Sequence, residues 1–526
     1  MKDDAAGEAP VYEEISNLFR GIFTIIVMTG SFMAILDTTV VDVVVPKMMA
    51  PLSTDLYGIQ WVITAYMTAA AVGLLLTYNL GSAWGLKRLF LAGLLVFTIA
   101  SASCGLAQSL SYMIFSRAVQ GFGEAFIMAS AQTILFSIYP PKKRGLAMGI
   151  YALGVSFAPS LGPVVGGWVT ENLNWRWVFY INLPVGIMNF VAGAILLPEV
   201  LKEKGVLRFN YFSYAMLASF TISLLILLSR GQQEGWFQSL LIVCLAIGSA
   251  VALCLFLISE LLSKKSLIDF SIFKIKEYSL SMGFYFLVMG LSIYQLFYLL
   301  PLYYENVKHL TTFQTGLHML AFAIFIAIFS PLAGYLSDRI GPIKIITASM
   351  TLYLCTSFFL IPSLNYYTPS IKAAIITIPL GISLGTFFAP VSALSLSHLG
   401  KRTGLGVSLM HYLRFVGGSL GTAIATNTLE WTTAQHYQEI GVLQDYRTAH
   451  KFVQGISLRL SGLFPKDAAL IKAKALLASV QGLQASSFAF QDTFRDGFFY
   501  ACTGCIFLAA LIISSSKDNI HKTHKT

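Results

Sequence analysis

Fourteen stretches of this sequence hold about 20 mostly apolar residues each, the length that crosses a bilayer as a helix. They lie near 21–45, 58–80, 88–108, 111–138, 145–170, 177–198, 210–230, 238–261, 279–303, 313–336, 343–362, 371–398, 407–431 and 496–515. Inside hydrocarbon every backbone N–H and C=O must bond within its own segment, so each run is expected to be an α-helix. Of 526 residues, 56% are hydrophobic and only 11% charged, too few charges to coat a soluble body of this size. The net charge of +10 is read as the cytoplasmic excess of a membrane protein and not as a surface for nucleic acid.

The basic residues test the count. With the N-terminus cytoplasmic, sixteen fall in inside loops: Lys87, Arg88, Lys142, Lys143, Arg144, Lys202, Lys204, Arg208, Lys264, Lys265, Lys274, Lys276, Arg339, Lys344, Lys401 and Arg402. Five fall in short outside loops: Lys47, Arg176, Arg230, Lys308 and Lys372. That asymmetry supports an all-α membrane protein with fourteen spans and both termini cytoplasmic. Trp61, Trp168, Trp175, Trp177, Trp236 and Trp431 fall near span ends, as an interfacial aromatic belt requires.

The organisation that follows is a polar segment 1–20, a six-helix bundle 21–198, two inserted helices 210–261, a second six-helix bundle 279–515, and a tail 516–526. The second bundle is interrupted by a polar excursion outside the membrane, 432–495, in which "DAALIKAKALLASVQGL" has the spacing of an amphipathic helix. "NLGSAWGLKRLF" (79–90) and "PLAGYLSDRIGPIKII" (331–346) occupy equivalent places in the two bundles, small residues followed by a tight basic turn. Repeated bundles with a site between them are the build of secondary transporters. No Gly-x-x-x-x-Gly-Lys-Ser/Thr run occurs, so an ATP-driven pump is not indicated. The pair Cys502 and Cys505 has no second pair and no nearby His, and reads as an inert apolar pair with no metal.

A series of motifs carries a resemblance. "LDTTVVDVVVP" (36–46), "QWVITAYMTA" (60–69), "RAVQGFGEA" (117–125), "GVSFAPSLGPVVGGW" (154–168), "NWRWVFYINLPVG" (174–186), "SRGQQEGW" (229–236) and "YLRFVGGSLGTA" (412–423) stand in order along the chain. In them the sequence resembles the fourteen-helix drug:proton antiporters of the major facilitator superfamily, within it the EmrB-like multidrug exporters. The resemblance implies an inner-membrane exporter driven by the proton gradient with no cofactor. It also implies a small-molecule substrate, and a periplasmic adaptor and outer-membrane channel as partners. Its fifth-helix motif falls on Gly154, Gly162, Pro163, Gly166 and Gly167, expected to form a tight seam. Its cytoplasmic gating loop falls on Gly334, Asp338, Arg339 and Gly341. The first copy of that loop departs from the pattern, with Ser82 and Ala83 where the family has Asp and Arg, and Tyr78 for the first Gly.

Ionisable residues within the spans are the candidates for function, because a charge in hydrocarbon is costly. Asp37 lies nine residues before Pro46, about 13 Å below the outer end of its helix, and Arg117 about 9 Å below the outer face on the fourth. The two can pair. Glu124 is seven residues on from Arg117, about two helical turns, and so shares its face. Asp37, Glu124 and Arg117 are assigned to proton coupling, the alternative for the Asp37–Arg117 pair being a static clip. Asp42 is turned about 140° from Asp37 and is read as a hydrated outer cap. Arg414 is read as snorkelling to the inner interface, with His411 one turn away. Tyr66, Phe126, Tyr294, Phe297 and Phe388 are candidates to line an apolar substrate cavity. The function expected is proton-coupled export of small hydrophobic or cationic drugs. The alternatives are a dedicated exporter of one metabolite or siderophore, and a transport-dead sensor or assembly partner.

Overall fold

The computed structural model describes residues 11–199, 210–263, 266–443 and 445–523. Part of the expected N-terminal segment (1–10), Lys202, Lys204, Arg208, Lys264, Lys265 and residues 524–526 of the tail lie outside them. The described residues form helices and turns with no strand. The long helices are α1 (Asn17–Met48), α2 (Tyr57–Trp84), α3 (Leu86–Leu106), α4 (Leu110–Ile138), α5 (Arg144–Asn172), α6 (Trp177–Leu196), α7 (Tyr211–Arg230) and α8 (Leu240–Leu262). There follow α9 (Lys276–Val307), α10 (Thr312–Ile340), α11 (Pro342–Ser363), α12 (Ser370–Leu396), α13 (Thr403–Leu443), α14 (Tyr446–Leu460) and α15 (Lys466–Thr523).

Thirteen helices among the described residues are long and apolar enough to cross a membrane. The remaining expected span, 407–431, lies within α13, which is diluted by His411, Arg414 and a run of Gly, Ser and Thr. Local chemistry sets the ends. Ser16, Ser109 and Asn210 accept from backbone N–H groups of the first turns of α1, α4 and α7, and Thr311 with Gln314 makes a capping box on α10.

The packing falls into two sets of neighbours. α1 lies against α5 and α6, while α2 and α3 lie against α4. In the second half, α10 and α11 lie against α12, and α13 and α15 pack on α9. Two seams join the halves: α5 runs along α10, and α2 meets α13. The inserted helix α7 straps the second seam. Its Ser229 hydroxyl bonds Thr64 of α2 at 2.8 Å, and its Thr221 bonds Tyr412 of α13 at 2.8 Å.

The excursion 432–495 departs from the expectation of a polar loop holding a helix. α13 and α15 continue through it, and α14 fills the turn between them. At 1.5 Å per residue α15 is about 87 Å long, far more than a bilayer core needs. The segment is rich in Ala, Leu, Gln and Lys and has no proline between 466 and 495, so nothing stops a helix already under way. His436 locks the two shafts together, with Nε2 2.7 Å from Asp492 on α15 and Nδ1 3.1 Å from Glu439. Of the tryptophans placed at span ends, Trp168, Trp177 and Trp431 are exposed, but Trp175 is buried beneath the Arg176 guanidinium at 4.3 Å.

The internal repeat is visible in the backbone. α2 ends at Gly85 (φ 93°, ψ 148°) and α10 at Gly341 (φ 95°, ψ 143°), and in each case the next helix starts at once. Each glycine N–H closes on the carbonyl four residues back, at 2.9 Å and 3.1 Å. A positive φ there excludes a side chain without strain. A Cβ on Gly341 would meet nothing within 4 Å, whereas one on Gly85 would stand 2.0 Å from a carboxylate oxygen of Glu199. Gly341→Ala is therefore expected to cost about 1–2 kcal/mol from backbone strain alone. Gly85→Ala should cost more. Thermal unfolding of the two variants in lipid nanodiscs checks the order, and equal losses would contradict it.

Candidate functional site

Three groups of polar residues lie inside the helical body, and they differ in how well their hydrogen bonds are met. The first is built on Asp37. Helix α1 buries this carboxylate to 1% exposure, and α4 brings Arg117 to it, also 1% exposed, with Nη1 2.6 Å from Oδ2. Gln120, one turn along α4, donates from Nε2 to Oδ1 at 3.0 Å, and Asn182 on α6 donates to the same oxygen at 2.6 Å. Arg117 also donates to Gln120 Oε1 at 2.8 Å and to the Val62 carbonyl at 3.4 Å, and its guanidinium lies over the Tyr66 ring at 3.9 Å. The four side chains tie together α1, α4 and α6, and α2 contributes the ring and the carbonyl. Gln120 and Asn182 were not anticipated; Gln120 stood in the quoted Arg-x-x-Gln motif at helical spacing from Arg117 and could have been. Asp42, five residues on, has an accessible side chain.

The second group lies at the end of the bundles that carries the basic loops. Asp338, in the last turn of α10, accepts from the backbone N–H groups of Gly145 at 2.7 Å and Leu146 at 2.8 Å. These are orphan donors of the first turn of α5, where a negative charge is also favoured by the helix dipole. Gly334 makes the approach possible: a Cβ there would stand 2.1 Å from the Gly145 carbonyl oxygen. Arg339 stacks over Tyr335 at 4.5 Å and takes no part in the cap. The equivalent corner of the first half is different. Ser82, in the place of Asp338, donates to the Asn79 carbonyl of its own helix at 3.0 Å. Between it and the start of α13 lies a small cleft lined by Tyr78, Ser82, Lys401 and Gly404.

The seam above the cap is close-packed backbone. A Cβ on Gly149 would stand 2.5 Å from the Ser330 carbonyl oxygen, and one on Gly316 2.7 Å from the Val164 nitrogen. Of the expected seam residues, Gly154, Gly162 and Gly166 face α1 (Met28, Thr39, Val40), while Gly167 and Pro163 face α10 at Phe313 and Gly316. The glycines that set the α5–α10 distance at the basic end, Gly145 and Gly149, were missed, although their four-residue spacing is the known signature of close helix contact.

The third group lies where α4, α5, α9 and α13 converge. Glu124 is 2% exposed, and its Oε2 has no hydrogen-bond partner. Tyr66, which also carries Arg117 on its face, stands beside it. Arg414 is 4% exposed and within electrostatic reach of Glu124, Tyr151, Tyr285 and Tyr294. It does not snorkel, as the sequence suggested. Eleven residues into α13, about 16 Å from its start, the side chain is too deep and too enclosed to reach the interface. His411 is wholly buried, with neither ring nitrogen bonded. Among the expected cavity aromatics, Phe388 packs against Tyr151 at 6.3 Å and Tyr285 at 6.2 Å, and Tyr294 and Phe297 form a pair at 6.5 Å. Phe126 is turned away. Two residues past Glu124 is about 200° of helix, which sets it against α3 near Gly93. A π-helical stretch, Phe286–Ile293, separates Tyr285 from Tyr294 on α9, a feature frequent at functional sites and without a sequence signal here.

The first group makes a direct prediction. Arg117→Ala leaves the Asp37 carboxylate as an uncompensated buried charge, and is expected to destabilise the protein by about 3–5 kcal/mol. Removing the acid as well, in Asp37→Asn with Arg117→Met, should recover much of that loss. Melting temperatures in nanodiscs read both, and a double variant no better than Arg117→Ala would contradict the assignment.

Comparison with known proteins places this arrangement. The family model described as Major Facilitator Superfamily matches residues 27–422. The chain is 29% identical over 455 residues to the multidrug export protein EmrB of Escherichia coli K12, covering 84% of this chain and 86% of that one. It is 32% identical over 418 residues to the fatty acid resistance protein FarB of Neisseria gonorrhoeae, covering 77% and 80%. Among solved structures it superposes on the proton:xylose symporter XylE with a TM-score of 0.56 at 12% identity, covering 90% of this chain and 96% of that one. The chain belongs to the major facilitator superfamily and is a multi-pass membrane transporter, with proteins named for multidrug export among its relatives.

Proposed function

We propose that this protein is a proton-coupled exporter of small amphipathic molecules across the inner membrane, hydrophobic and cationic drugs among them. The basic end is then cytoplasmic, and the proton gradient is the only energy source. The observation that carries the reading is Glu124, buried in the middle of α4 with an unpartnered oxygen at the convergence of both halves. A charge there is expensive, so its protonation follows the water and counter-ions that reach it. Asp37 and Arg117 belong to the same network but act differently. With three donors on its two oxygens, Asp37 holds the Arg117 charge in place, and Glu124 meets the proton. A substrate group that competes with the proton for Glu124 yields exchange.

The seams supply the alternation. Asp338 on the first turn of α5 closes the cytoplasmic end, and opening it exposes two backbone donors to water at modest cost. The relative named for multidrug export supports a broad substrate range. A second reading, a dedicated exporter of one compound, is favoured by the relative named for fatty acid resistance. The helical extension formed by α13, α14 and α15 is the surface on which a periplasmic adaptor leading to an outer-membrane channel would dock.

Proton-driven efflux of a substrate panel from proteoliposomes tests the proposal. Glu124→Gln should lose gradient-dependent flux to the background of empty liposomes at matched protein content. Full gradient-driven export by Glu124→Gln would overturn the reading. Competition between chemically unrelated panel members separates the broad exporter from the dedicated one.

A further inference from the structure

Arg414 is a buried cation that makes no ion pair among the described residues. Among the described residues no carboxylate lies within 4.0 Å of it, its Nε is buried without a partner, and its one ring contact is the neighbouring Phe415 at 5.4 Å. The contrast with Arg117 is instructive, because that guanidinium is equally enclosed and meets a carboxylate, an amide oxygen and a carbonyl.

The groups around Arg414 are unmatched in the same sense. Neither nitrogen of His411 is bonded, and the buried Tyr285 hydroxyl is without a partner. Two of these groups are donors and the imidazole can be a third. Facing them is the Glu124 carboxyl, which is in electrostatic reach but forms no ion pair with Arg414. With Glu124 protonated, the surplus is of donors and positive charge. A planar group with two anionic oxygens satisfies it, since the guanidinium fork matches a carboxylate in a bidentate pair. The rings of Tyr151, Phe388 and Tyr285 stand alongside as an apolar wall for the rest of such a molecule.

We infer that Arg414, with His411 and Tyr285, binds the carboxylate of an amphipathic organic acid where α4, α9 and α13 converge. Glu124, opposite, remains for the proton or for the positive end of the same substrate. The inference deepens the exporter reading of this site and rests on it.

The test is equilibrium binding at pH 7, without a gradient, to the full-length protein in lipid nanodiscs. The probes share one fluorophore: dansylglycine, a carboxylate; its neutral amide; and dansylcadaverine, a cation. The acid is expected to bind at least about tenfold tighter than the amide, the worth of one charge-assisted pair. Arg414→Gln should erase that preference, and Arg414→Lys should keep part of it. Equal binding of acid and amide by the unmodified protein, or a preference that survives in Arg414→Gln, overturns the inference. Should the glutamine variant fail to fold, the acid and amide on the unmodified protein still decide. The exporter reading fails separately, if the acid binds through Arg414 yet no panel compound moves with protons in proteoliposomes.

Discussion

The cost of an unpaired charge inside a bilayer organises this molecule. Every ionisable residue deep in the spans must be matched, hydrogen-bonded or reached by something that is not part of the chain. Asp37 and Arg117 are matched to each other and to Gln120 and Asn182, and the group joins three helices of the first half. Asp338 is matched by two backbone N–H groups of α5 and joins the halves at one end. Glu124, Arg414 and His411 are left incomplete, and they lie together where the halves converge. That division, satisfied at the joints and unsatisfied at the convergence, is the arrangement of a scaffold around a site.

The way the halves meet follows from residues that have no side chain. Gly145, Gly149, Gly316 and Gly334 bring the backbones of α5 and α10 so close that a methyl group on any of them would strike main-chain atoms. Such a contact is broad and has no long side chains to disengage, which suits helices that must slide or tilt against each other. The second seam, α2 against α13, is built otherwise. It lacks the acid cap at Ser82 and is bridged instead by hydroxyl pairs through α7. The inserted helix α7 thus ties the half-molecules at the seam where the glycine loop carries no acid.

The parts of this account that could be read from the sequence are those fixed by local geometry. Hydropathy located the spans, with one falling short because α13 carries His411 and Arg414. Helical rise placed Asp37 and Arg117 at one level, and helical period put Glu124 on the face of Arg117. The repeat of two glycine turns was legible and recurs in the backbone to within a few degrees. What could not be read depends on contacts between distant segments. Asn182 lies 145 residues from Asp37, and nothing local marks it as a partner. The sequence puts Arg414 near the interface because hydropathy starts its span at 407; the helix starts at Thr403, which sets the residue deeper, and the helices packed around it close the route out. The polar excursion reads in sequence as a loop holding one amphipathic helix, because its polarity marks where the membrane ends and not where the flanking helices stop.

Infrared difference spectroscopy of the protein in nanodiscs, titrated across neutral pH, tests the central claim most directly, since it observes the carboxyl proton without needing a substrate. The account predicts a protonated-carboxyl C=O band with a titrating component that vanishes in Glu124→Gln and persists in Asp37→Asn and in Asp42→Asn. A titrating band that is unchanged in Glu124→Gln and lost in Asp37→Asn would contradict it.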